Sequence, residues 1–256
     1  MWQTIHMSVM KRTKQMNFFV YVDTVIFTIN PDRSVDARDR LEVLVMQRPE
    51  RPDKSKWALP GGLVGEDERL EETSIRKVRE ETGIHLKPKE LHQVAAFGNP
   101  ERDNRYRAIA IAYVALVPHP GATKAISHSD KAEFIPYRLL RDKRMLEFDH
   151  TDIIYSARKA ARKMLEDTSV ALNFCGPKFT ISELRGVYEA FLQYEVDPAN
   201  FRRKVDAVKD FVIPLDEYAD FGSSPGRPAL MYKPGRLTSL PTPIRFRRPD
   251  GKYVEK

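Results

Sequence analysis

The chain of 256 residues is 41% hydrophobic and 31% charged, with a formal net charge of +7. That length accommodates one large or two modest domains with buried cores, and the composition excludes a disordered chain. No apolar run approaches the roughly 18 to 20 residues of a membrane-spanning helix, and the basic excess is compatible with a nucleic-acid partner without requiring one.

The opening segment MWQTIHMSVMKRTKQMN has no continuous apolar stretch behind its charges, unlike a signal peptide. Cys175 is the single cysteine, so no intramolecular disulfide forms. Both features predict a cytoplasmic protein with a structural thiol. Residues 17 to 29 (NFFVYVDTVIFTI) and 41 to 46 (LEVLVM) read as strands separated by the turn-like NPDRSVDARDR. A helical pattern runs from about Arg69 to Thr82, with Ile75, Val78 and Thr82 at spacings of three and four. Gly83 follows where a left-handed helix stop is expected. Residues 91 to 98 and 107 to 117 read as further strands, the second nearly continuously apolar and therefore central in its sheet. Strands on both sides of a helix predict a mixed α/β domain over residues 17 to 150.

From Thr151 to Glu166, Ile153, Ala157, Ala160 and Met164 mark an amphipathic helix whose basic face (Arg158, Lys159, Arg162, Lys163) reads as solvated. We take residues 151 to 168 as a bridge into a second unit, residues 169 to 235. That unit opens on the capping box Thr180-Ile181-Ser182-Glu183 and continues as a helix to about Phe191, with Leu184, Tyr188 and Phe191 on one side. Asp197-Pro198, an N-cap followed by proline at the first helical position, starts the next helix, with Phe201, Val205 and Val208 inward. Residues 236 to 256 read as a loosely ordered basic tail.

The chemistry sits between residues 61 and 84. Gly61-Gly62, then Glu68, then Arg76-Lys77-Val78-Arg79-Glu80-Glu81-Thr82-Gly83-Ile84 match the Nudix signature at every defining position but one. Carboxylates three and four apart share a helix face and can hold magnesium against a diphosphate. Glu68, Glu80 and Glu81 are the remnants of such a set. Lys77 stands where Nudix hydrolases carry a glutamate. At about 5 Å and an effective dielectric of about 20, each unit of charge interacts with a divalent ion by roughly 6 kcal/mol before screening. Replacing −1 by +1 therefore disfavours a bound metal, and a protonated lysine is no ligand. The reading is lost or weakened hydrolysis, with magnesium relevant only to residual activity and no cofactor otherwise required; an enzyme using another base from a loop is the alternative.

Phe97-Gly98-Asn99-Pro100-Glu101-Arg102-Asp103-Asn104-Arg105 is similar to a segment of Nudix proteins that handle ADP-ribose. There Arg102 and Arg105 are candidates for phosphate contacts beside Gly61 and Gly62, and Phe97 or Trp57 for stacking on a base. Residues 179 to 211 have the spacing of a helix-turn-helix, which places Asn200, Arg202, Arg203 and Lys204 at the start of the groove-entering helix. A wing through Gly222-Ser223-Ser224-Pro225-Gly226 would bring Arg227 to the DNA backbone.

Taken together, WALPGGLV, the altered box, FGNPERDNR, LEFDHTDII, FTISELRGVYEAF, NFRRKV and GRPALMY resemble the Nudix-related transcriptional regulators of the NrtR family over roughly residues 18 to 234. The resemblance implies an α/β Nudix fold, a mixed sheet sandwiched by helices, followed by an α+β winged helix-turn-helix. It implies a homodimer that binds double-stranded operator DNA of NAD metabolism genes and is released by ADP-ribose or a related NAD-derived nucleotide. Relatives in sugar pathways, arabinose among them, leave the regulon open, and an active ADP-ribose pyrophosphatase with an accessory domain is the competing function. A two-fold dimer predicts an inverted-repeat operator.

Overall fold

The computed structural model describes residues 17–47, 56–119, 132–219 and 228–248. In chain order the elements are β1 (Phe19–Ile29), β2 (Leu41–Gln47), β3 (Trp57–Ala58), β4 (Gly61–Leu63), α1 (Leu70–Thr82), β5 (Leu91–Phe97), β6 (Ala108–Leu116), β7 (Ala132–Pro136), α2 (His150–Asp167), β8 (Phe179–Thr180), α3 (Ile181–Leu192), α4 (Pro198–Asp206), β9 (Val212–Tyr218) and β10 (Leu230–Pro234).

Period-two alternation sorts β1 between two cores. Val22 and Ile26 pack with Val78 of α1, while Val25, Phe27 and Ile29 pack on the opposite side with α2 and α3. The first sheet has the order β3-β2-β1-β6-β5, with β4 added to β1 and β7 to β2. β1 and β6 run parallel at its centre, covered on both faces, which accounts for the near-continuous apolar run of β6. α1 ends at Gly83, whose φ of 73° lets its N–H return to Arg79 O at 3.0 Å.

α2 is a layer of this sandwich as well as a connection. Its buried stripe is Ile153, Ile154, Ala157, Ala161 and Leu165, so Ala160 and Met164, expected inward, are only partly covered. The stripe is displaced because α2 meets the sheet on one side and α3 on the other. Arg158, read as solvated, donates to Phe191 O at 2.6 Å and lies over the Tyr137 ring, satisfying a carbonyl that the end of α3 leaves open. Tyr188 Oη donates to Leu165 O at 2.9 Å, and Phe27 meets Phe191 edge-on at 5.7 Å.

The winged unit follows the capping signals. Thr180 Oγ1 accepts from Glu183 N–H and Glu183 Oε2 accepts from Thr180 N–H. α3 stops at Gln193, a non-glycine residue at φ 63°, whose amide donates to Ala190 O and, across the chain, to Arg38 O at 2.6 Å each. Asp197 caps α4 by accepting from Asn200 N–H at 2.7 Å. β9 and β10 form the expected hairpin, and β8 adds a third strand in the order β8-β10-β9. The turn of the wing, with Arg227, lies outside the described residues.

Residues 236–248 correct the expectation of a loose tail. Leu240 N–H donates to Asp167 O and Ile244 N–H to Glu166 O, and Leu240, Ile244 and Phe246 are buried. Burial of these three side chains and the backbone bonds to the end of α2 together tie the segment to the fold.

Candidate functional site

β4 and α1 meet as a glycine loop lying on a helix. Gly61 sits opposite Asp23, where an added Cβ would fall 2.1 Å from Val22 O, so no other residue fits. Its N–H donates to Glu81 Oε2 at 3.0 Å. The stem of Lys77 lies under Gly62, and Lys77 Nζ is 3.5 Å from Glu80 Oε2. Arg76 grips Glu68 with two bonds of 2.5 and 2.6 Å and reaches Glu80 at 3.2 Å. Hydrogen bonds from Arg76, and then Thr73, hold the Glu68 carboxyl down to about 2.

Two cations and a backbone amide thus occupy the three carboxylates. Among the described residues no group of three or more His, Cys, Asp or Glu is placed to hold a metal ion. Arg76 and Lys77 offset part of the charge of the three carboxylates, which weakens this donor set for a divalent ion.

Beside the loop lies a buried polar network. Arg102 is turned inward, its guanidinium donating to both oxygens of Asp149 at 3.0 and 2.8 Å and to Asp23 at 3.3 Å. Its expected phosphate contact is therefore not presented here: the arginine ties the 99–105 loop to β1 and to the start of α2. His150, 2% exposed, accepts the Leu59 N–H on Nδ1 at 3.1 Å and places Nε2 3.7 Å from Asp23.

Arg105 is more exposed, paired with Asp103 at 2.6 Å and packed over Tyr106 at 4.8 Å and Phe148 at 5.5 Å. Tyr21 and Tyr106 share a 2.5 Å hydrogen bond with parallel rings. Burial, then the Tyr106 bond, pushes the Tyr21 hydroxyl up to about 12. Trp57 and Phe97 are half-buried against the larger core, whereas Phe148 exposes its ring from a left-handed backbone at φ 48°. The rim thus combines a glycine loop, an arginine and a partly exposed aromatic ring over which that arginine lies.

In the second unit, Phe201 and Val205 are fully buried while Arg202 and Arg203 are exposed. Arg203 donates to Asn200 Oδ1 at 2.7 Å, and Arg202 donates to Tyr232 Oη on the wing at 3.1 Å. Lys204 is half-buried, its ammonium 5.7 Å from the Phe246 ring centre.

The sequence matches the family described as NUDIX domain over residues 26–156 and that described as NrtR DNA-binding winged helix domain over residues 171–233. It is also 31% identical over 214 residues to the ADPR responsive transcriptional repressor NtrR of Acinetobacter baylyi, covering 83% of this chain and 80% of that protein. The chain belongs to the NrtR family. Its architecture is a Nudix fold followed by a winged helix, a transcriptional regulator of the Nudix-domain type. Shewanella oneidensis NrtR, solved in complex with a 27mer DNA, is similar with a TM-score of 0.68 at 28% identity, covering 88% of this chain and 99% of that one. Over 113 residues the chain is 36% identical to the ADP-ribose pyrophosphatase of Methanocaldococcus jannaschii, covering 44% of this chain and 63% of that protein.

Within this NrtR frame the structure brings Gly61, Gly62, Lys77, Glu80 and Glu81 together and sets Arg105 on the adjacent rim. Asp23, Tyr21, Tyr106, Phe148, Asp149 and His150 also lie in this region, and the sequence reading names none of them as a candidate. The signals available were a lone aspartate inside an apolar strand and the LEFDH segment, to which no role was attached.

Proposed function

We propose that this chain represses transcription by binding operator DNA as a homodimer through α4 and the wing, and releases it when an ADP-ribose-like nucleotide occupies the Nudix domain. The carrying observation is Lys77 3.5 Å from Glu80 beneath an intact glycine loop, which supports a pocket that keeps its diphosphate loop while a lysine offsets part of its carboxylate charge. The relative named as an ADPR responsive repressor supports the same effector. The nucleotide would lay its diphosphate on Gly61, Gly62 and Arg105 and stack its base on Phe148, Phe97 or Trp57. Asn200, Arg202 and Arg203 would read base edges or phosphates, Lys204 a phosphate, and Arg227 the backbone. The regulon in this reading is NAD metabolism, with sugar catabolism as the alternative, and regulation itself needs no cofactor.

The test is a salt-titrated gel shift on the chain's own and neighbouring promoters, with and without ADP-ribose. Specific binding relieved by ADP-ribose is expected, and Arg203→Ala should weaken it at least tenfold with no change in thermal midpoint. Absence of specific binding there and to sequences selected from a random pool would sink the proposal. The likeness to an ADP-ribose pyrophosphatase favours the second reading, a hydrolase, which predicts magnesium-dependent release of AMP and ribose 5-phosphate lost on Glu81→Gln.

A further inference from the structure

The segment after the wing is built onto the recognition helix, and it lies outside the residues matched by the winged-helix family. Phe246 stacks on Phe201 of α4 with ring centres 5.5 Å apart and an interplanar angle of 18°, and meets Tyr188 of α3 edge-on at 5.9 Å. Its carbonyl accepts from Tyr194 Oη at 3.0 Å, and Lys204 approaches the same ring. A single buried aromatic therefore locks residues 244–248 to the flank of α4 that carries Asn200 and Lys204.

The residues around that anchor are basic. Arg245 is spent on α2, 3.3 Å from Glu166 and 3.5 Å from Asp167. Arg247 and Arg248 follow the anchor and are exposed. Arg247 lines a cleft of about 790 Å³ together with Asn200, Pro198 and Asp197, the first turn of the recognition helix. The cleft also holds Asp36, Glu189 and Glu195, so it is no general anion pocket. Arg38 and Arg185 line it too, each beside one of those carboxylates, and Arg247 brings a further positive charge next to the first turn of α4, where a duplex entered by α4 would pass its backbone.

We propose that Arg247 and Arg248 form a C-terminal arm that grips the DNA phosphate backbone beside the recognition helix, adding contacts that the helix-turn-helix and wing do not make. This rests on the DNA-binding reading above. The arm is held in place before DNA arrives, so its contacts carry little ordering cost, and phosphate contacts set affinity and register without reading sequence.

The test uses the full chain and two duplexes, one selected by the wild-type chain from a random pool and one of unrelated sequence. For Arg247→Ala with Arg248→Ala, affinity for both duplexes should fall about tenfold. The slope of log K against log salt should shrink by about 3.6 for the dimer, two phosphates per subunit at roughly 0.9 each. The paired Arg247→Lys and Arg248→Lys variant should restore the slope, and the thermal midpoint of both variants should match wild type. An unchanged slope in the alanine pair, with wild type binding normally, overturns the arm alone. Failure of the lysine pair to restore it overturns the phosphate assignment in favour of a groove contact. A wild-type chain that binds neither duplex overturns the DNA-binding reading and the arm with it.

Discussion

Leu59 gives its backbone N–H to His150 Nδ1 at 3.1 Å, so the residue two before Gly61 is pinned to the first turn of α2. The other end of α2 carries Leu165, whose carbonyl receives Tyr188 of α3. One 18-residue helix therefore touches the glycine loop at its start and the winged unit at its end. His150→Ala leaves a buried donor without an acceptor and opens a cavity. A loss of about 2–4 kcal/mol is expected in urea unfolding. His150→Asn, which retains an acceptor, should lose less. Equal midpoints for wild type and His150→Ala would show that the bond does not form in solution.

Lys77→Glu reverses a charge that offsets part of the carboxylate set. The unscreened change is roughly 12 kcal/mol toward a divalent ion, two charge units at about 6 each, and even heavily screened it should raise manganese affinity at least tenfold. Binding followed by electron paramagnetic resonance reads this directly. Magnesium-dependent ADP-ribose hydrolysis should rise with it. Unaltered manganese binding would mean that something other than the lysine excludes the metal.

The Glu68–Arg76 pair makes a pH prediction. The Glu68 carboxyl is held below its ordinary 4.5, to about 2, chiefly by Arg76. A depressed folded-state value stabilises the fold fully above 4.5, and that contribution is lost as pH falls toward about 2. Carboxyl resonances followed by NMR should place the Glu68 midpoint near the lower value, and Arg76→Met should move it upward toward 4.5. A midpoint indifferent to Arg76 would refute the pairing.

Tyr188→Phe removes only the hydroxyl that joins α3 to α2. It should cost about 0.5–1.5 kcal/mol and speed amide exchange in the last turn of α2. Protection unchanged there would mean that the other ties, among them Arg158 to Phe191 O and Phe27 on Phe191, hold α2 and α3 together without it.

Much of this was legible in the sequence because the signals were local. The capping box at Thr180, the Asp197-Pro198 start and the Gly83 stop each act within one helical turn, and all three stand where expected. Two-residue β8 carried no period to read, and the turn-like NPDRSVDARDR gave no hint that Arg38 O would meet Gln193. The tail misled for the same reason: its three anchors, Leu240, Ile244 and Phe246, are spaced for no regular element and pack only against surfaces that α2, α3 and α4 create together.

Arg102 marks the boundary between the two kinds of information. Residue type and loop position alone allowed a phosphate contact, but Asp23 lies 79 residues before it and Asp149 lies 47 after it, and only folding brings both to its guanidinium. The sequence by itself determined the four long strands of the first sheet, the helices and their order, the glycine loop, the lysine in the carboxylate helix and the two helices of the DNA-binding unit, since those follow from chemistry within a few residues. Tertiary structure decided which charges are internal ties and which face a ligand, because that depends on burial and on partners remote along the chain.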